Sequence, residues 1–214
     1  MAPLPHAQWI EQTGLIAIVR LDSSAELIDA ARAIAAGGVS IIEFTLTTPG
    51  ALQTIEESSR ELGGQVLIGA GTVLDAETAR AAILAGAEFV VAPTLNPEVI
   101  QMCRRYGKVV IPGAYTPTEI LHAWELGADF VKVFPAEVGG PAYIKAVRAP
   151  LPQVKMIPVG GVSLETAGAF IRAGAVALGV GSNLVNKKAV AERRFDQLTA
   201  TAKALSQAVQ EARS

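Results

Sequence analysis

The sequence contains little cysteine and little histidine, and these shortages exclude several kinds of site. A single cysteine, Cys103, cannot form an internal disulfide bond, and this favours a reducing compartment. One cysteine and two histidines supply few of the ligands that transition metals prefer. We therefore expect a protein without a bound metal, and nothing in the sequence calls for a cofactor.

No charge of one sign and no long apolar run dominates the chain. The 18 basic and 20 acidic residues give a formal net charge of -2 and are not clustered by sign. We therefore expect no nucleic-acid partner and no binding to an acidic membrane surface. No apolar run approaches the roughly 20 residues of a membrane span, and the first residues lack the pattern of a signal peptide. These features predict a cytoplasmic protein.

What the sequence does contain is a repeated unit. Four helical patterns end with glycine, then alanine or valine, and then an apolar run; these glycines are Gly38, Gly86, Gly127 and Gly174. Glycine after a helix adopts the left-handed conformation without a steric penalty, so each one marks a helix end before a strand. Short runs rich in Val, Ile and Phe are typical of strands that are covered on both faces.

Further strand candidates alternate with these four and with helical patterns. They lie at 15–20, 65–68, 108–111 and 155–159. Eight strands, each followed by a helix, predict a parallel sheet and favour a (β/α)8 TIM barrel. We predict one barrel domain over 1–214, with a short N-terminal segment (1–13) and a C-terminal helix (about 188–212). A doubly wound open sheet is the alternative fold.

Two charged residues occupy the same point of the repeat. The residue five positions after each glycine is, in chain order, Glu43, Val91, Lys132 and Gly179, on the second, fourth, sixth and eighth strands. In a (β/α)8 barrel, each interior layer is made by four side chains from alternate strands. Glu43 and Lys132 are thus predicted to face each other inside the barrel, with space beside them at Gly179. A purely structural ion pair is the alternative.

This pairing predicts a definite chemistry. Burial lowers the pKa of a lysine, so more of it is the free amine that attacks a carbonyl group. The resulting iminium withdraws electrons from the neighbouring carbon, and a nearby carboxylate can take and return a proton. We predict a class I aldolase in which Lys132 forms a Schiff base with a 2-keto acid and Glu43 moves the proton.

Glycine-rich segments follow the seventh and eighth strands. They contain Gly160 and Gly161 in one case, and Gly181 and Ser182 in the other. Loops at these two places of the barrel frequently bind phosphate through backbone N–H groups. The sequence therefore predicts a phosphate site at these four residues, although glycines also occur in ordinary turns.

Five separated motifs occur in order along the chain: Glu43-Phe-Thr-Leu-Thr-Thr-Pro49, Ile68-Gly-Ala-Gly-Thr-Val-Leu74, Ile111-Pro-Gly113, Val131-Lys-Val-Phe-Pro-Ala-Glu137 and Gly160-Gly-Val162. From about residue 16 to residue 184 the sequence resembles the 2-keto-3-deoxy-6-phosphogluconate / 4-hydroxy-2-oxoglutarate (KDPG/KHG) aldolase family. The resemblance implies cleavage of a 2-keto-3-deoxy-6-phospho sugar acid, of the gluconate or galactonate type, to pyruvate and glyceraldehyde 3-phosphate. It also makes 4-hydroxy-2-oxoglutarate a candidate substrate, and it implies a homotrimer.

The resemblance assigns further substrate-binding residues. Thr72, Pro93 and Phe134 match positions that line the pyruvoyl half of the site, and Arg20 matches a basic position near the substrate. The phosphate-binding residues of the family match Gly160, Gly161, Gly181 and Ser182. The Schiff-base lysine and the proton-transfer glutamate of the family match Lys132 and Glu43.

Two positions depart from the gluconate-type pattern. They are Thr47 and Val159, both of which are candidate substrate-binding residues. Thr47 replaces an arginine four residues after the glutamate, so Arg20 is a candidate to hold the substrate carboxylate in its place. Val159 replaces a threonine before the glycine pair and resembles enzymes that act on the galactonate epimer. We expect relaxed stereochemistry, since a hydrophobic pocket discriminates weakly between such isomers. A phosphosugar isomerase or epimerase, and a non-catalytic barrel that binds a phosphorylated ligand, are the alternative functions.

Overall fold

The computed structural model describes residues 5–214 as an α/β fold of parallel strands that alternate with helices. The strands are β1 (Leu15–Val19), β2 (Ile41–Thr45), β3 (Leu67–Gly71), β4 (Phe89–Val91), β5 (Val109–Ile111), β6 (Gly113–Ala114), β7 (Val131–Val133), β8 (Met156–Pro158) and β9 (Leu178–Val180). The helices are α1 (His6–Thr13), α2 (Leu27–Ala36), α3 (Ala51–Leu62), α4 (Ala76–Leu84), α5 (Pro97–Arg105), α6 (Pro117–Glu125), α7 (Gly140–Arg148), α8 (Leu164–Arg172), α9 (Lys187–Ala191) and α10 (Phe195–Arg213). A short 3-10 helix covers Ala136–Val138.

The strands form two curved parallel sheets. One has the order β5-β4-β3-β2-β1-β9, and the other has the order β6-β7-β8. β5 corresponds to the predicted fifth strand, 108–111. Pro112, which has no N–H group to donate to a neighbouring strand, separates it from the short additional strand β6. The Pro112 carbonyl still accepts a bond of 2.9 Å from the N–H of Lys132 on β7. An isolated bridge between Val159 and Gly179 joins the end of β8 to β9.

Alternate residues of each strand pack into two separate cores. On β1, Leu15, Ala17 and Val19 belong to the large core between sheet and helices. Ile16 and Ile18 point the other way and join a second buried cluster on the inner face of the strands. Strands covered on both faces require the near-continuous apolar runs that the sequence contains. The second core matters for function because it forms the floor below the site.

The two ends of the described chain differ from the prediction in detail. The predicted N-terminal segment contains helix α1, whose Ile10 is fully buried in the inner core; residues 1–4 lie outside the described residues. The single helix predicted near 188–212 is interrupted between α9 and α10. Arg193 in this break has a φ of 53° and forms an ion pair of 2.9 Å with Asp29. Within residues 5–214, none of the helices combines the length and the apolar character needed to cross a membrane.

Candidate active site

A cavity of about 700 Å³ lies at the carboxyl ends of the strands. Its lining comes from positions just beyond the strands, which is where parallel α/β folds place their ligands. Arg20 follows β1, Thr72 follows β3, Pro93 comes after β4 and Phe134 follows β7. The remaining predicted residues in the lining are Lys132, Val159, Gly160, Gly161, Gly181 and Ser182. The cavity therefore brings together residues from separate motifs of the sequence.

Glu43 and Lys132 meet below this cavity. Their side chains are buried, with 1% and 5% of their surface exposed. Both line a small chamber of about 10 Å³ together with Val91 and Gly179, so the four residues predicted to share one layer do so. Lys132, Val159 and Gly179 line the chamber and the large cavity alike. Lys132 therefore stands at the boundary, within reach of a molecule that enters from the mouth.

The buried position changes the acid–base properties of both groups. Desolvation lowers the pKa of Lys132; the nearby Glu43 carboxylate opposes this shift, and Arg20 adds to it. Desolvation raises the pKa of Glu43, while the positive charges of Lys132 and Arg20 act in the opposite direction. Among residues 5–214, no ion pair within 4.0 Å joins the two side chains. The pair is thus close enough to interact electrostatically, but it is not a closed structural salt bridge.

Thr72 and Arg20 form a polar contact at the edge of the cavity. Nη2 of Arg20 donates to Oγ1 of Thr72 over 3.2 Å. Thr72 has a φ of 58°, a left-handed conformation that is an outlier for a β-branched residue. Strained residues of this kind cluster at ligand sites, where surrounding structure holds them in place. Phe134 lies nearby, with its ring centroid 5.0 Å from Nζ of Lys132.

The predicted phosphate residues follow β8 and β9 and line the same cavity. Gly160 and Gly161 have φ values of 98° and 67°, which a side chain would disfavour. Gly181 faces open space, because nothing lies within 4 Å of where its Cβ would stand. Asn183 links this wall internally, since its Nδ2 donates to the Val162 carbonyl over 2.8 Å. Backbone at these glycines can approach an anion closely.

Thr47 is the one predicted site residue that lies away from both cavities. It follows β2 in a turn, its side chain is exposed, and its hydroxyl donates to Oγ1 of Thr45 over 3.3 Å. The predicted substrate contact of Thr47 therefore needs correction. Arg20, by contrast, is a basic side chain that does line the large cavity.

Several lining residues were not identified from the sequence. Lys187 and Lys188 at the start of α9 reach the cavity, as does Asn186, whose side chain caps that helix with a bond of 3.0 Å. Their nearness in sequence to Gly181 and Ser182 is the signal that could have suggested them. In the described part of the chain, no group of three or more His, Cys, Asp and Glu side chains is arranged to hold a metal ion.

Comparison with known proteins adds a second line of evidence. A family model described as KDPG and KHG aldolase matches residues 7–201. The chain is 38% identical over 204 residues to a 2-dehydro-3-deoxy-6-phosphogalactonate aldolase of Escherichia coli, with 95% of this chain and 100% of that protein covered. It is also 38% identical over 192 residues to a 2-dehydro-3-deoxy-phosphogluconate aldolase of Treponema pallidum, covering 89% of this chain and 91% of that protein.

One solved structure with the same fold contains a covalent reaction intermediate. The KDPG aldolase of Legionella pneumophila, with pyruvate captured at low pH as a covalent carbinolamine intermediate, superposes with a TM-score of 0.87 at 26% identity. The match covers 96% of this chain and 99% of that chain. A carbinolamine is the adduct that an amine forms with a keto group before water is lost.

Proposed function

The chain belongs to the KDPG and KHG aldolase family, and we propose from this premise that it is a class I aldolase whose Schiff-base lysine is Lys132. Its substrate is a 2-keto-3-deoxy-6-phospho sugar acid, which it cleaves to pyruvate and glyceraldehyde 3-phosphate. One observation carries the proposal: Lys132 is buried beside Glu43 and still lines the open cavity. No metal or cofactor is needed for this chemistry.

The first half of the reaction follows from the lowered pKa of Lys132. Its free amine attacks the C2 carbonyl of the substrate to give a carbinolamine, and loss of water gives the iminium. Glu43 takes the proton of the C4 hydroxyl as the bond between C3 and C4 breaks. The electron pair of that bond moves onto C3 and the iminium nitrogen, so the aldehyde leaves and an enamine remains on Lys132.

The second half returns the proton that Glu43 has taken. Glu43 protonates C3 of the enamine, which becomes the iminium of pyruvate, and water then releases pyruvate and the free lysine. The raised pKa of Glu43 suits this exchange, because a carboxyl group with a pKa nearer neutrality can both accept and donate a proton. The absence of a direct ion pair within residues 5–214 leaves the Lys132 amine available to the substrate.

We propose that Arg20 and Thr72 hold the substrate carboxylate. Arg20 presents a planar group of several donors to the cavity, and its bond to Thr72 orients it. Arg20→Lys keeps the charge but loses the bidentate geometry, so we expect the KM for pyruvate in methyl-proton exchange to rise about tenfold. An unchanged KM in Arg20→Lys, with Arg20→Ala equally unaffected, would rule out this role.

The other end of the cavity suits the phosphate group. Gly160, Gly161, Gly181 and Ser182 offer backbone N–H groups and one hydroxyl, and Pro93, Phe134 and Val159 enclose the carbon chain between. The gluconate and galactonate epimers are both proposed substrates, and 4-hydroxy-2-oxoglutarate, which would give pyruvate and glyoxylate, is a further one. An isomerase or epimerase would need the phosphate residues without Lys132, so that alternative is not favoured.

Three further features of the protein are proposed together with this function. We propose that the two sheets close into a single-domain (β/α)8 barrel, supported by the hydrogen bond of Lys132 to Pro112 at one seam and the Val159–Gly179 bridge at the other. We propose a homotrimer, supported by the family resemblance and testable by sedimentation equilibrium. A cytoplasmic location is proposed from the single cysteine, Cys103, which is buried and free.

Trapping with pyruvate tests the central proposal. The protein is incubated with pyruvate, reduced with borohydride, digested and analysed by mass spectrometry. We expect a reduced pyruvate adduct on the peptide that contains Lys132 and none in Lys132→Ala, whereas Lys155→Ala, outside the cavity, should be labelled like the wild type. An unlabelled wild-type protein would disprove the Schiff-base mechanism. Glu43→Gln should keep the adduct but slow proton exchange at the pyruvate methyl group.

A further inference from the structure

The four predicted phosphate-binding residues are neutral, and one carboxylate lies close to two of them. Gly160, Gly161, Gly181 and Ser182 supply N–H groups and a hydroxyl. The side chain of Glu137 lies against the first two glycines, so closely that a Cβ at Gly160 would overlap its carboxylate. A phosphate dianion at this wall would approach that negative charge. A cation on the same side would offset the repulsion.

The two cations already assigned to the reaction have other roles. Lys132 pairs in register with Ile157, and Gly160 follows Ile157 by three residues. Three residues of strand correspond to about 10 Å along its axis, so Lys132 lies well below the glycine loop. Arg20 donates to Thr72 and is assigned to the substrate carboxylate. The mechanism as proposed therefore leaves the phosphate group without a cation of its own.

Helix α9 places two lysines at the mouth, and they differ in their surroundings. Lys187 is held by Asp22, with Nζ 2.6 Å from the carboxylate, so its charge is already paired. Lys188 lines the same cavity. Within residues 5–214, no carboxylate oxygen lies within 4.0 Å of Nζ of Lys188, the distance that an ion pair requires. Its ammonium group is thus the one of the two that is available to a ligand.

We propose that Lys188 supplies the positive charge that binds the substrate phosphate, while Lys187 holds the mouth in place through Asp22. This proposal rests on the proposed function, because it concerns the phosphorylated end of the same substrate. A charged donor makes a shorter and stronger bond to phosphate than a neutral N–H group does. Lys188 therefore determines the preference for phosphorylated over unphosphorylated keto acids, without taking part in bond cleavage.

Steady-state kinetics on two substrates test the assignment. In Lys188→Gln we expect the KM for the phosphorylated 2-keto-3-deoxy sugar acid to rise about tenfold with little change in kcat, as for loss of a uniform binding contact. The KM for the unphosphorylated acid should stay unchanged. Lys188→Arg should restore most of the loss. Lys203→Gln, which removes the same charge from an exposed position of helix α10 outside the cavity, should behave like the wild type.

Inorganic phosphate provides a probe that is independent of turnover of the sugar. Its inhibition constant against the unphosphorylated acid should rise in Lys188→Gln, and the difference from the wild type should shrink as salt is added. An equal rise in KM for both substrates, or no rise for either, would overturn the proposal. A rise in KM in Lys187→Gln instead of Lys188→Gln would overturn it as well.

Pyruvate trapping separates failure of this inference from failure of the proposed function. Each lysine variant is also treated with pyruvate and borohydride. If the wild type forms the adduct while Lys188→Gln keeps its substrate preference, the role of Lys188 is wrong and the aldolase mechanism stands. If the wild type forms no adduct, the mechanism itself fails.

Discussion

The Glu43 side chain occupies the space in which a Cβ of Gly71 would stand. Glu43 pairs in register with Gly69 on the neighbouring strand, yet its carboxylate lies over Gly71, two residues further along. Two residues of strand correspond to about 7 Å, so the side chain leans toward the carboxyl ends of the sheet. Phe89 fills the space over Gly69, so the Glu43 side chain cannot lie there. The missing side chain at Gly71 therefore brings the carboxylate toward the cavity.

Gly71→Ala should displace the Glu43 carboxylate, because the added methyl group would overlap it. We expect proton exchange at the pyruvate methyl group to slow by about a hundredfold, as for a misplaced catalytic group. The Schiff base should still form at Lys132. NMR of pyruvate in D₂O measures the exchange, and borohydride trapping measures the adduct. The overlap should also lower the thermal stability of Gly71→Ala, and combining it with Glu43→Asp, whose side chain is shorter, should recover that loss. Proton exchange at the wild-type rate in Gly71→Ala would contradict this account.

Glu43→Gln should change how stability depends on pH. The pKa of Glu43 is raised in the folded state, so the folded protein binds more protons than the unfolded chain above the ordinary value of 4.5. The stabilising contribution is present below pH 4.5 and is lost as the pH rises through the raised pKa. Glutamine stays neutral throughout.

Urea denaturation from pH 4 to pH 9 measures this effect. The unfolding free energy of Glu43→Gln should gain on that of the wild type as the pH rises above 4.5. Because Lys132 lowers the pKa of Glu43, removing it in Lys132→Met should extend the wild-type loss of stability to higher pH. A difference between Glu43→Gln and wild type that does not vary with pH would contradict the assignment.

Thr72→Gly should make the protein more stable and less active. Glycine adopts a φ of 58° without the steric cost that a β-branched residue carries there, which amounts to about 1 kcal/mol. Entropy of the unfolded chain offsets part of this gain. The hydroxyl that accepts from Arg20 is lost, so the KM for pyruvate should rise about fivefold. Thr72→Ser keeps the hydroxyl and serves as the control; a stable but fully active Thr72→Gly would show that this contact is unimportant.

Val159→Thr should shift the preference between the two sugar epimers. Val159 is buried and lines the cavity beside Lys132 and Gly179. A hydroxyl there could bond the substrate near C4, so we expect the ratio of kcat/KM values to move about tenfold toward the gluconate epimer. Without substrate, Val159→Thr should be about 1 kcal/mol less stable than the wild type, since a hydroxyl is placed among apolar groups. Val159→Ala is the matched control, and an equal shift in both variants would attribute the effect to volume alone.

The site was predictable from the sequence wherever it lies on strands. Glu43, Val91, Lys132 and Gly179 share one chamber as the repeat predicts, because side chains alternate strictly along a strand. Arg20, Thr72, Pro93 and Phe134, which the family resemblance assigned to substrate binding, all line the cavity. The chemical roles of these residues stay predictions until the variants are measured.

Residues in turns and at helix starts were less predictable. Thr47 follows β2 by two residues yet does not line the cavity, whereas Lys188 lines it from a helix that begins after the last strand. The short strand β6 after Pro112 and the break before α10 were not predicted either. No periodicity governs these positions, because their direction depends on backbone torsions that distant packing selects.

The alternation of strands and helices, the inner face of each strand and the resemblance to the family could all be derived from the sequence. Strand periodicity, helix-ending glycines and ordered motifs are local properties, and a sequence displays them directly. The folded structure was needed to show that Glu43 leans over Gly71, that Thr72 is held at a positive φ, and that Lys188 lines the same cavity as the glycine loops. These relationships join residues far apart in the chain, and their geometry is set by packing that no local pattern records.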